Sequence, residues 1–181
     1  GRREALEFLK SESTQWRQPD SQGRLPVHIA AENGHADLIP LVLDKKKKDV
    51  HVRDKTGAAP LHLAAAKGHI AAMEALVALR ARTKAEDRAG QTPLHYAART
   101  NQSGAIEWLI KRKAYVRAKD DAGLTPLHTA ARHNATAAAE SLLANKAKIN
   151  EESEEDRTPL DEARERGHEE MISLLKSKGA R

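Results

Sequence analysis

Cysteine is absent from the 181 residues, which excludes a disulfide framework, thiol catalysis and any Cys-based zinc site. A chain without cysteine suits a reducing compartment, and an intracellular, cytoplasmic setting is expected of it. Aromatic residues are scarce at 3%, so a thick core built on Phe, Tyr and Trp is excluded. Long apolar runs are missing too. The longest, Leu38 to Leu43, holds six residues, and neither a transmembrane helix nor a secretory h-region is expected. The first residue is Gly1 and not Met, as expected of an excised or tag-cleaved segment. What is present is alanine, 32 of them, within a chain that is 39% hydrophobic and 31% charged with net charge +5. This is too apolar for disorder and too short for two comfortable domains. The composition describes one thin helical body packed closely through small side chains.

Proline sets a ruler along it. Pro26, Pro60, Pro93, Pro126 and Pro159 stand 34, 33, 33 and 33 residues apart. The same phrase returns at each: Leu25-Pro26-Val27-His28, Ala59-Pro60-Leu61-His62, Thr92-Pro93-Leu94-His95, Thr125-Pro126-Leu127-His128 and Thr158-Pro159-Leu160-Asp161. Asp-x-x-Gly precedes four of them, at Asp20–Gly23, Asp54–Gly57, Asp87–Gly90 and Asp120–Gly123, and paired alanines follow, as at Ala64-Ala65. Asp-x-x-Gly suits a tight hairpin turn whose Gly takes positive φ. Thr before Pro suits a helix start, with the hydroxyl on free amides and Pro in the first turn. Gly-His pairs (Gly34-His35, Gly68-His69, Gly167-His168) end that helix. A second helix follows, with apolar residues at helical spacing such as Met73, Leu76 and Val77.

A 33-residue period carrying this Thr-Pro-Leu-His phrase resembles the ankyrin repeat over essentially the whole chain. The fold class this implies is an all-α repeat solenoid of stacked ankyrin repeats, each a β-hairpin or turn, a helix, a turn and a second helix. The units expected within a single domain 1–181 are a partial N-terminal repeat 1–19, full repeats 20–53, 54–86, 87–119 and 120–152, and a capping repeat 153–181. On that register Trp16 occupies a buried packing position, equivalent to Val116. Some residues depart from the family pattern. Lys47, Arg80, Lys113 and Lys146 replace the Gly that usually ends the second helix, which returns at Gly179. Pro40 falls inside a second helix, which it should kink or shorten. Asn101-Gln102 and Asn134-Ala135 replace Gly-His, and the last repeat has Ser153, Asp156 and Asp161 for Asp, Gly and His. Irregularities of this kind fit a natural fragment or a heavily diversified scaffold better than a pure consensus design.

The resemblance implies a non-enzymatic protein–protein interaction module, because an extended stack offers a concave surface without a deep pocket. The residues agree. G-x-S-x-G, the phosphate-binding G-x-x-x-x-G-K-[ST] loop and G-x-G-x-x-G are all missing. No histidine pair has the spacing of a metalloprotease helix, and the run Glu151–Asp156 lacks a calcium-binding frame. No catalytic, cofactor-binding or metal residue is therefore assigned, and no cofactor is expected. The seven repeat-phrase and Gly-His histidines are expected to tie hairpins and helices together, whereas His133 is a contact candidate.

Transferred onto this sequence, the family's exposed positions make a strip of hairpin tips and first helices. Its candidate protein-binding residues are Arg24, Lys55, Lys67, Arg88, Gln91, Arg99, Thr100, Leu124, Arg132 and His133. The strip is basic at its middle, and Leu124 is expected to be its one large apolar side chain. A partner presenting an acidic patch would suit it. Tyr96 is expected to pack in the core. Trp108 is expected on the outer face, where with Tyr115 it would form a second contact or self-association patch. The alternative is an engineered scaffold, self-associating or not, without a natural ligand. A third reading uses the basic groups Lys45–Lys48, Arg80-Arg82-Lys84, Lys111–Lys113 with Arg117 and Lys119, and Lys146-Lys148 as a ridge for nucleic acid or acidic lipid. Cations near helix C-termini also complement the helix dipole with no ligand at all.

Overall fold

The computed structural model describes residues 18–43 and 49–181. Trp16 and Lys45–Lys48 lie outside the described residues. Among those described are ten α-helices in five antiparallel pairs, with a single 3-10 turn at Asp49–His51 and no strand. The first helix of each pair is α1 (Pro26–Glu32), α3 (Pro60–Ala66), α5 (Pro93–Arg99), α7 (Pro126–Arg132) and α9 (Pro159–Glu165). The second is α2 (Ile39–Val42), α4 (Ile70–Ala78), α6 (Ser103–Lys111), α8 (Thr136–Ala144) and α10 (Glu169–Ser177). First helices pack on first helices, and second helices on second.

Helices of seven to nine residues are too short to persist alone in water, so the stack supplies their stability. One continuous apolar cluster threads all five pairs, and Ile39, Leu61, Met73, Leu94, Ile106, Leu127, Leu142, Leu160 and Met171 are fully buried in it. The paired alanines (Ala64-Ala65, Ala97-Ala98, Ala130-Ala131) are at or near zero exposure and let successive first helices approach closely.

The turns before the first helices are closed by their aspartates. Asp54 Oδ1 accepts from the Thr56 and Ala58 amides at 2.8 and 3.0 Å, and Asp120 Oδ1 from Ala122 and Leu124 at 3.0 and 2.9 Å. Ser153 Oγ does the same work in the last unit over longer bonds of 3.3 Å. Successive turns are joined through the backbone: Lys55 N–H donates to Gln22 O, Arg88 N–H to Thr56 O, Asp121 N–H to Ala89 O, and Glu154 N–H to Ala122 O. Gly57 illustrates why glycine stands there. Its φ is +88°, and a Cβ would sit 2.5 Å from the Arg88 amide of the next turn.

Thr before Pro behaves differently from the sequence expectation. Its hydroxyl caps an amide only at Thr125 and Thr158, while Thr92 Oγ1 goes to His95 Nδ1 at 2.9 Å. The phrase histidine does the general capping. The amide before Pro donates to its Nδ1 (Leu25 to His28, Ala59 to His62, Thr92 to His95, Thr125 to His128; 3.0–3.1 Å). Its Nε2–H then donates to a carbonyl of the next turn: Ala58, Gln91, Leu124 and Arg157 at 3.2, 3.1, 3.0 and 2.9 Å. Each ring is thus a neutral tautomer that caps its own helix and staples it to the following unit. His168 adds a link of the same kind, from Nε2 to Arg132 O at 3.1 Å.

Pro40 shortens its helix as expected, leaving the four residues of α2 where the other second helices have nine. Asn101 and Asn134 keep the positive φ of the glycines they replace, 59° and 52°. Asn101 also contributes a cap of its own, its Oδ1 accepting from the Ala138 amide of α8 at 2.8 Å. The cationic helix ends take the left-handed conformation of the glycine they replace, with φ of 71°, 64° and 67° at Arg80, Lys113 and Lys146, and Gly179 has 93°. A non-Gly residue there is disfavoured by about 1 kcal/mol, partly offset in the unfolded chain. Lys113→Gly is therefore expected to raise stability by about 0.5 kcal/mol. Urea unfolding reads this, and a lower midpoint would show that the lysine stem contributes packing.

Candidate functional site

The row Ile29, Leu63, Tyr96, Thr129 and Glu162 runs across the first helices, one residue from each, and builds the middle of the strip. At its N-terminal end Ile29 is a large apolar side chain that is 36% exposed. Tyr96 is buried, as expected, in a small cluster with Ala58, Ala66 and Leu63 that is separate from the main core. Its hydroxyl donates to Asp87 Oδ2 at 2.7 Å, and its ring meets the His62 ring edge-on at 5.0 Å. Burial, reinforced by the Asp87 carboxylate, pushes the phenol up to about 12. The Arg99 guanidinium lies over the same ring at 4.4 Å.

Around Tyr96 the strip residues divide into free and engaged. Lys55, Lys67 and Arg88 are exposed, and their side chains form no ion pair among the described residues. Arg99 is half-buried on Tyr96. Thr100 is exposed, but its hydroxyl bonds with the Ala66 and Tyr96 carbonyls at 2.6 and 3.0 Å, fastening α5 to α3. Gln91 is half-buried, its amide held by Asp87 Oδ1 at 2.9 Å and its carbonyl by His62. Arg24 pairs with Asp20 and Glu32, both at 2.8 Å. His133 is exposed and donates from Nδ1 to Thr129 O at 2.9 Å.

Two expectations are corrected. Leu124 is not a surface side chain. It is 7% exposed; its backbone is held by Asp120 and His95 just as that of Gln91 is by Asp87 and His62, but its apolar side chain has no polar partner to hold it out. Trp108 is likewise 8% exposed. Its Nε1–H donates to Glu74 Oε1 at 3.2 Å and Arg112 covers its ring at 3.7 Å, so it offers no outer patch with Tyr115. Tyr115 alone is open, at 64%, beneath Lys84 Nζ at 3.4 Å.

Arg132 belongs to a network that the sequence reading missed. Glu162 on α9 is fully buried, with Arg157 Nη2 at 2.5 Å from Oε1 and Arg132 Nε at 3.0 Å from Oε2, the latter an ion pair without hydrogen-bond alignment. Arg157 continues to Glu165 at 2.5 Å. The signal was available: an acid at the position of Leu63 and Tyr96 needs cations from the units beside it.

Among the described residues no group of three or more His, Asp or Glu could hold a metal ion, and no helix is long and apolar enough to cross a membrane. The family model for ankyrin repeats matches three overlapping times, over residues 1–87, 27–120 and 104–181. The chain belongs to the ankyrin-repeat family, whose repeats mediate interactions between proteins and are generally non-enzymatic. A comparison with curated proteins finds no match.

Proposed function

We propose that this is a non-enzymatic recognition module whose concave face of hairpin tips and first helices binds another protein bearing an acidic patch. The observation that supports it most is the group Lys67, Arg88 and Arg99 around Tyr96: two unpaired exposed cations beside a third already ordered on an aromatic ring. Ordering Arg99 before contact lowers the entropy lost on binding, and arginine near aromatic rings is a frequent source of interface energy. Lys55, Thr100 and His133 extend the surface, with Gln91 between them. Arg24 and Arg132 contribute framework, since their charge is already answered within the chain. Leu124 lies beneath the surface and makes no contact.

The variant Lys67→Glu/Arg88→Glu/Arg99→Glu tests this reading without disturbing the Glu162 network. Immobilised parent protein is expected to retain a partner from nuclease-treated lysate at physiological salt. The variant, checked for native helix content, should bind that partner at least about tenfold more weakly. Unchanged retention of every partner would contradict the proposal.

A further inference from the structure

The outer edge of the stack, at the C-terminal ends of the second helices, has a charge pattern that the proposed protein-binding face does not use. Arg80, Lys113 and Lys146 end α4, α6 and α8 in the same turn, their amides donating to Val77, Ile110 and Leu143 carbonyls at 2.9, 2.9 and 3.0 Å. Identical turns in a regular stack set the three side chains in one row. Each has positive φ, where glycine is the unstrained choice. A conformational cost repeated three times for a cation is a reason to look for what the cations do.

Neighbouring charges widen the row. Arg82, Lys84, Lys111, Arg112, Arg117, Lys119 and Lys148 are all exposed. Contacts between units hold several of them in place: Lys84 over Tyr115, Arg117 on the Lys146 carbonyl at 3.1 Å, and Lys119 on Glu151 at 3.2 Å, where Lys148 of the same unit as Glu151 joins at 3.1 Å. The acids nearby are Glu74, Glu86, Glu107, Glu140, Glu151 and Glu152; Glu74 is engaged by Trp108 and Arg112. The side chains of Arg80, Arg82, Lys111, Lys113 and Lys146 make no ion pair or hydrogen bond among the described residues. A helix dipole acts on cations within about its last turn, and Arg82, Lys84, Arg117, Lys119 and Lys148 lie beyond the ends of α4, α6 and α8.

We propose that this edge docks on an anionic membrane surface. Two of the three large hydrophobic side chains that the described residues expose, Leu79 at 37% and Tyr115 at 64%, lie within the cationic row. Leu79 immediately precedes Arg80, and Tyr115 follows Lys113 by two residues. Cations interspersed with a leucine and a tyrosine suit the lipid interface: the charges meet acidic headgroups, the leucine enters the acyl boundary, and the tyrosine settles at headgroup level. A nucleic-acid phosphate backbone would reward the charges and leave Leu79 without a role. A single tyrosine also makes a poor platform for stacked bases.

The test uses Arg80→Gly/Lys113→Gly/Lys146→Gly, which removes three charges and three strained residues together. Its thermal midpoint is expected at or above that of the parent, so any loss of binding cannot be laid to misfolding. The parent should sediment with phosphatidylcholine vesicles containing phosphatidylserine but not with phosphatidylcholine alone, and added salt should release it. The triple variant should partition at least about tenfold more weakly, and Leu79→Ser should weaken binding as well. Lys67→Glu/Arg88→Glu/Arg99→Glu, which leaves the Arg80, Lys113 and Lys146 row unchanged, should bind vesicles like the parent, which separates this proposal from the protein-binding one. A parent that ignores acidic vesicles overturns the proposal, including the case where it binds a duplex oligonucleotide instead. Equal vesicle binding by the parent and the glycine variant overturns it too.

Discussion

Acidification from pH 7 to pH 4.5 is expected to destabilise the protein by several kcal/mol, with most of the loss between pH 6.5 and 4.5. The cause is the column of phrase histidines. Burial holds His28, His62, His95 and His128 below the ordinary imidazole value, and His62 reaches about 4. Between that value and 6.5 the unfolded chain binds more protons than the folded one, so stability is complete above pH 6.5 and is lost as pH falls. His62 alone, shifted from 6.5 to about 4, corresponds to roughly 3 kcal/mol once pH is below both values. Protonation also turns Nδ1 from an acceptor into a donor facing an amide N–H, which breaks the helix cap and weakens the staple together. Asp20, Glu151 and Asp161 are held below their ordinary values by hydrogen bonds, and their contribution disappears mainly below pH 4.5. The histidines therefore dominate the upper window. Urea midpoints at pH 7.5, 6.5, 5.5 and 4.5 read the effect. His62→Gln should lower stability at pH 7.5 and flatten the curve. A midpoint independent of pH down to 4.5 would show that the rings titrate without loss of the native contacts.

The second large effect concerns the buried carboxylate. Arg157→Ala is expected to lower stability by about 3 kcal/mol, because Glu162 keeps only the poorly aligned Arg132. Glu162→Leu is expected to lower it by no more than about 1 kcal/mol, because the two half-exposed arginines can turn to water and leucine already occupies the equivalent Leu63 site. The double variant Arg157→Ala/Glu162→Leu should recover most of what Arg157→Ala loses. Chemical denaturation of the four proteins closes the cycle. Additive losses would mean that Glu162 and Arg157 act independently, contrary to the 2.5 Å contact.

The parts of this molecule legible in the sequence are those that repeat. Five copies of the Pro phrase located the first helices, because Pro in the first turn and Asp-x-x-Gly before it have strong local preferences that need no tertiary partner. The strained ends at Arg80, Lys113 and Lys146 were legible for the same reason: a repeat position that needs positive φ keeps that need when the residue changes. What escaped depends on contacts between units. That His62 ties elements together was expected; which atom its Nε2 reaches, the Gln91 carbonyl of the next unit, was not legible. Leu124 shares its repeat position with Arg24 and Gln91, yet its side chain turns inward because nothing polar holds it out. Trp108 aligns with Ala75 and Ser141, which conceal that Glu74 and Arg112 fold over a larger ring. Glu162 was readable only by treating the first-helix row as one surface shared by all five helices.

The central functional claim is that a partner protein sits on the hairpin tips and first helices. Hydrogen-exchange mass spectrometry of the captured complex against the free protein tests it most directly. The account predicts protection at the turns around Lys55 and Arg88 and along α3 and α5, including Thr100, with α4, α6 and α8 exchanging as in the free chain. Protection confined to the outer second helices, with those turns unchanged, would contradict it.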